Sequence, residues 1–225
     1  MQIPFTAEQF FAVFHLYNEA VWPAQLFLLA LSLVAVVLVC TNHPSAGPTV
    51  SAILAFLWTW SATVYHLTFF SRINPLAFGF AGMSLIGAAV FLWYGVILRR
   101  LQFEVGNNVR SYAGASLIAF ALIVYPVLSW LAGHTFPAMP TFGLPCPTTI
   151  YTLGLLAFLK APAPRAPYIV PVMWSVIGGQ AAFLLDVPQD LGLVVAGIVG
   201  VWMMARPKTG RSRRGTALPL GGKRY

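Results

Sequence analysis

The sequence predicts an all-α, polytopic transmembrane helix bundle, and three observations carry that expectation. Of its 225 residues, 59% are hydrophobic and only 8% are charged, whereas soluble domains run at about 25% charged and about half apolar. Asp, Glu, Lys and Arg are absent from 20–71, 73–98, 111–159 and 166–185. A hydrocarbon core about 30 Å thick needs roughly 20 apolar residues in a helix, and only helices or closed barrels satisfy backbone polar groups there. The remaining charges and the Pro- and Gly-rich breaks punctuate the chain into about seven spans, near 20–40, 48–70, 75–98, 111–133, 147–160, 167–186 and 188–205. These features exclude a disordered chain, a collagen, a disulfide scaffold and a soluble catalytic domain.

Residues 1–19 precede the first span as an outer interfacial segment. Thr6-Ala7-Glu8-Gln9 has the capping-box pattern ahead of Phe10, Phe11, Val13, Phe14 and Tyr17. That order predicts a short amphipathic helix whose aromatics lie at headgroup depth. Met1 to Pro4 carry no Lys or Arg, so the basic n-region of a secretory signal is missing and the first span is expected to stay as an anchor. Prolines recur at span starts (Pro23, Pro48, Pro75, Pro147, Pro167, Pro188), where the missing N–H costs nothing. The fifth span is the least regular: its apolar part, Thr148 to Leu159, is short, so it begins below the membrane surface or leans on the apolar loop before it. Pro126 and Pro171 lie inside spans and predict kinks. Glycines at 79, 82 and 87, at 178 and 179, and at 192, 197 and 200 predict close helix approach. No internal repeat is evident.

The basic residues set the expected orientation. Arg99, Arg100, Arg110, Lys160, Arg165 and the tail from Arg206 to Arg224 fall on one side, and only Arg72 falls on the other. The positive-inside rule then makes the C-terminus cytoplasmic and, with seven spans, the N-terminus external. The tail, 206–225, reads as a disordered basic segment attracted to anionic headgroups. It is short and lacks interleaved aromatics, so no nucleic acid is expected as a partner. Beyond the lipid bilayer, a homo-oligomer or a membrane complex stays open.

Polar chemistry gathers at the outer ends: four of the five carboxylates (Glu8, Glu19, Asp186, Asp190) and three of the four histidines (His15, His66, His134) fall there. His66 lies about one turn inside the second span, a depth at which polar residues are costly and usually functional. Thr59, Thr63 and His66 at i, i+4 and i+7 predict one stripe facing the bundle. Asn18, Glu19, Tyr65, His66, Asn74 and Asp186 are the substrate or proton-coupling candidates. Asp186 outranks Asp190, which reads as a first-turn charge on the last helix. His15, His66 and His134 are candidate ligands for a transition metal, the one candidate cofactor. The loop from Gly133 to Thr149 has four prolines and no charge, and is expected to fold onto the bundle as a lid. It ends in Cys146, Thr148 and Thr149 at a helix start, where free N–H groups favour an anion and activate a thiol. Cys40 and Cys146 fall on opposite membrane faces and cannot pair.

Phe5-Thr6-Ala7-Glu8-Gln9-Phe10, Tyr17-Asn18-Glu19-Ala20-Val21-Trp22-Pro23, Tyr65 to Phe70 through Ile73-Asn74-Pro75, and Gly133 to Thr149 together resemble a family of uncharacterised bacterial multipass membrane proteins, a domain of unknown function described as permease-like. The resemblance implies a bacterial inner-membrane protein of seven helices and transfers no mechanism. Retinal proteins differ in needing a Lys in the last helix. Membrane hydrolases of the ceramidase and adiponectin-receptor type need late histidines, and no His follows His134.

Three readings follow: a small-solute or ion permease with an outer polar vestibule, a membrane-embedded metal-dependent enzyme using outer His, Asp and Glu, and a non-catalytic subunit of a membrane complex. Elemental analysis of protein purified in mild detergent separates them. A stoichiometric metal lost in both His66→Ala and His134→Ala marks the enzyme, and metal-free, well-folded protein removes that reading.

Overall fold

The computed structural model describes residues 4–185 and 187–205. Asp186 and the expected basic tail over 206–225 therefore lie outside the described residues. Within them the regular structure is helical, with only isolated bridges at Phe103–Leu159 and Phe142–Leu144.

Helix α1 (Ala7–Val21) opens with the expected capping box: the Gln9 N–H donates to Thr6 Oγ1 at 3.2 Å, and the Thr6 N–H donates to Gln9 Oε1 at 2.9 Å. It meets α2 (Ala24–Cys40) at 87°. Pro23 lacks an N–H and drives Trp22 into extended backbone, so neither helix can run through the junction. The aromatics of α1 do not lie among headgroups as expected. Phe10, Phe14 and Tyr17 are buried in the protein, packed on Tyr65, Phe69 and Phe70, while Leu16 and Trp22 face outward.

The chain continues as α3 (Ala46–Arg72), α4 (Ala77–Ile97), α5 (Val109–Leu131), α6 (Pro145–Leu156), α7 (Ala166–Leu184) and α8 (Pro188–Ala205). Five of these, α3, α4, α5, α7 and α8, are long and apolar enough to cross a membrane, and six spans result if the bent α1–α2 pair counts as one. This differs from seven expected spans chiefly at α6. Its 12 residues reach only about 18 Å at 1.5 Å per residue, short of a bilayer core.

Helix α6 is the centre of the bundle, and every residue of it except Cys146 is buried. The Tyr151 hydroxyl donates to the Ser32 carbonyl of α2 at 2.7 Å, Trp58 Nε1 of α3 to Thr152 Oγ1 at 3.1 Å, and the Tyr168 hydroxyl of α7 to the Leu156 carbonyl at 2.7 Å. Against α5 the approach is backbone on backbone: a Cβ on Gly114 would sit 2.7 Å from the Gly154 carbonyl. Gly197 and Gly200 of α8 abut Ser175 and Val172 of α7 in the way the sequence predicts, but Gly79 and Gly82 of α4 face open space.

The basic loops gather on one end. The Val105 N–H donates to Asn42 Oδ1, the Glu104 N–H to the Phe158 carbonyl, the Lys160 N–H to the Gln102 carbonyl, and Arg110 Nη2 to the Met203 carbonyl at 2.8 Å. The opposite end carries α1, the last turns of α3, the 133–144 segment and the α7–α8 turn.

Gly114→Val should overpack the α5–α6 contact and cost about 1–3 kcal/mol, read as a lower melting temperature in detergent. Gly82→Ala, with nothing within 4 Å of the new methyl, should leave that temperature unchanged or raise it.

Candidate functional site

At the end opposite the basic loops, α1, α3, α4, α5, α7 and the starts of α6 and α8 enclose a cavity of about 490 Å³. Its walls are apolar and rich in aromatic rings, and its polar groups are few: Tyr65, Asn74, Tyr125, Cys146, Gln180 and Asp190. The rim includes Leu76 and Leu184, 64% and 48% exposed, so the space reaches the surface of the bundle.

Local helix geometry delivers the two tyrosines. In α3, residues Ser61–Phe69 form a π-turn, and burial repeats there in pairs four apart: Ser61 and Ala62, Tyr65 and His66, Phe69 and Phe70. The wider turn breaks the expected polar stripe. Thr63 is exposed and donates back to the Thr59 carbonyl, while His66 is fully buried. Leu92–Ile97 at the end of α4 forms another π-turn, away from the cavity, and in α5 a third, Phe120–Val124, ends just before Tyr125-Pro126. Pro126 has no N–H to offer the preceding turn, and a wider turn relieves the clash of its ring with that turn's carbonyl. Such turns concentrate at functional sites.

Asp190 closes the 3-10 turn Pro188–Asp190 at the head of α8 and is 1% exposed. The Tyr125 hydroxyl donates to its Oδ1 at 2.7 Å. The Cys146 thiol lies beside the same carboxyl and beside the Trp174 indole. Burying an ionisable group costs several kcal/mol unless it is well paired, and this carboxyl has only neutral neighbours, a phenol and a thiol, so it calls for a role beyond packing.

A family profile covers residues 7–214, nearly the whole chain. The chain belongs to the family of unknown function DUF6064. No curated protein and no solved structure matches it.

In this family member the sequence candidates separate into three groups. Tyr65, Asn74 and Cys146 line the cavity; Asn74 also accepts the Leu76 N–H at 3.0 Å and so opens α4. His66 stands behind the wall, its ring 5.0 Å from Trp174 and 5.8 Å from Phe80, with neither ring nitrogen partnered among the described residues. The third group serves the fold. Asn18 clamps the 133–144 segment: its Nδ2 donates to the Pro137 and Met139 carbonyls at 2.6 and 2.7 Å, and its Oδ1 accepts from Gln25 and Thr141 at 2.7 Å each. Thr148 and Thr149 are buried in α6 and do not reach the cavity.

Glu19 is not beside His66. It pairs with His15 on the exposed face of α1, Oε2 to Nε2 at 3.3 Å, a surface contact worth at most about 1 kcal/mol. His134 stacks on Phe11 at 3.9 Å. His15, His66 and His134 thus have separate surroundings, and among the described residues no three His, Cys, Asp or Glu side chains are grouped to hold a metal. The surroundings do not suit the anion expected at Cys146: the neighbouring group is a carboxyl, and among the described residues no Lys or Arg lines the cavity.

The sequence reading passed over Tyr125 and Trp174 and ranked Asp190 below Asp186. A signal was present in that Tyr125 precedes an interior proline. For Asp190, a first-turn acid on an exposed helix and one facing a cavity look alike in sequence.

Tyr125→Phe leaves Asp190 without its donor and should lower stability by about 1–3 kcal/mol, measured as a melting shift that Asp190→Asn does not add to. Asn18→Ala should speed proteolysis or hydrogen exchange across 133–144 without altering exchange at α8.

Proposed function

We propose that the chain is a small-solute permease of a bacterial inner membrane, with the Asp190 cavity as its solute-binding site. The observation that carries the reading is a buried carboxyl facing an aromatic cavity of about 490 Å³ within an otherwise apolar helix bundle. Ionisable groups at such positions mark solute and ion pathways, and the volume falls within the range of about 300–1,000 Å³ typical of small-molecule sites. The basic loops on the far end favour an orientation in which the cavity faces outward. The site differs in character from a polar vestibule: it is aromatic, its single carboxyl among the described residues is Asp190, and Glu19 lies outside it.

Proteoliposomes test the proposal. Neutral, cationic and anionic aromatic solutes are offered to vesicles carrying either the wild type or Ala181→Trp, whose indole would fill the cavity beside Gln180 and Leu184. At least one class should cross wild-type vesicles faster than those of the filled variant. Equal rates for all three classes would sink the permease reading.

A further inference from the structure

We infer that the cavity selects a hydrophobic organic cation, an amine or quaternary ammonium group carrying an apolar body. The inference rests on the cavity proposed above as the solute site and names its ligand class. Phe10, Phe14, Tyr65, Phe70, Phe80 and Trp174 present aromatic rings to one space, and Asp190 is the only acid among the described lining residues. Among the described residues no Lys, Arg or His lines that space. Aromatic faces attract cations through the ring quadrupole, with tryptophan the strongest, and the attraction grows once water is excluded.

The sign and the hydration of the ligand follow from the same walls. An anion meets Asp190 with no basic group to offset it. A metal ion needs several oxygen, nitrogen or sulfur ligands in place of its water, and among the described residues no three His, Cys, Asp or Glu side chains are grouped to supply them. An ammonium whose charge is spread over alkyl groups holds water weakly, so aromatic rings replace its hydration at low cost, and Asp190 supplies the counter-charge. Trp174 lines the same cavity as Cys146 and Asp190. Ligand charge and aromatic body are therefore read by adjacent groups.

The experiment is equilibrium binding to the full chain in mild detergent, followed by titration calorimetry and tryptophan fluorescence. The probes are benzyltrimethylammonium, its uncharged carbon isostere neopentylbenzene and the anion phenylacetate. Ala181→Trp is measured alongside, so that uptake by micelles is subtracted. The cation should bind the wild type at least about tenfold more tightly than the isostere, and phenylacetate should not bind. Asp190→Asn should bring the cation down to the level of the isostere while leaving the isostere unchanged, and Trp174→Phe should weaken the cation several-fold. Should Asp190→Asn fail to fold, the wild-type ratio of cation to isostere decides alone.

Equal affinity for charged and uncharged probes, or cation binding indifferent to Asp190→Asn, overturns the cation inference and leaves a general apolar solute site standing. Absence of any binding sensitive to Ala181→Trp overturns it as well. Cation binding as expected with no transport in vesicles supports the inference and removes the permease reading instead.

Discussion

A helix that cannot reach across a bilayer has to be surrounded, and α6 imposes that condition on everything else. Twelve residues long and buried on nearly all sides, it has no lipid-facing surface, and α2, α3, α5, α7 and α8 wrap it. Backbone polar groups in an apolar medium must be satisfied internally. Here the carbonyls of Leu156, at the end of α6, and of Ser32, midway along α2, are met by the hydroxyls of Tyr168 and Tyr151. The glycine pair at 114 and 154 brings backbones together where no side chain fits.

The shortness of α6 also makes the cavity. Pro145, Cys146 and Pro147 at its first turn line the space, because the helix stops before the end of the bundle and leaves volume above it. The chain closes that volume with irregular pieces: α1, turned 87° from α2, and the proline-rich 133–144 segment, pinned by Asn18. Asn18 thus holds the roof of the cavity without lining it.

Placement of the polar groups depends on departures from α-helical geometry. Two π-turns set the phase at which Tyr65 and Tyr125 leave their helices, and a 3-10 turn does the same for Asp190. Each device costs regular hydrogen bonding locally and is retained where side chains converge. The result is a cavity lined by one carboxyl among the described residues, the two tyrosines, a thiol and an indole.

Composition, charge-free runs and local motifs were enough to specify a helical membrane bundle, the capping box of α1 and the clustering of basic loops, since each depends on neighbours in sequence or on transfer from water to hydrocarbon. The fifth segment was legible as short and irregular, though it still counted as one of the seven spans. Its role as the centre was not, because an all-round apolar helix reads alike whether lipid or protein covers it. The site was legible only in part: Tyr65, Asn74 and Cys146 drew notice as polar residues near one end, whereas Tyr125, Trp174 and Asp190 did not stand out from ordinary aromatics and a first-turn acid. A stripe drawn at 3.6 residues per turn through Thr59, Thr63 and His66 failed because the helix widens there. Which side chains meet across 65 residues of chain, as Tyr125 and Asp190 do, is decided by packing around α6, and packing of apolar helices carries no mark in the order of residues along any one of them.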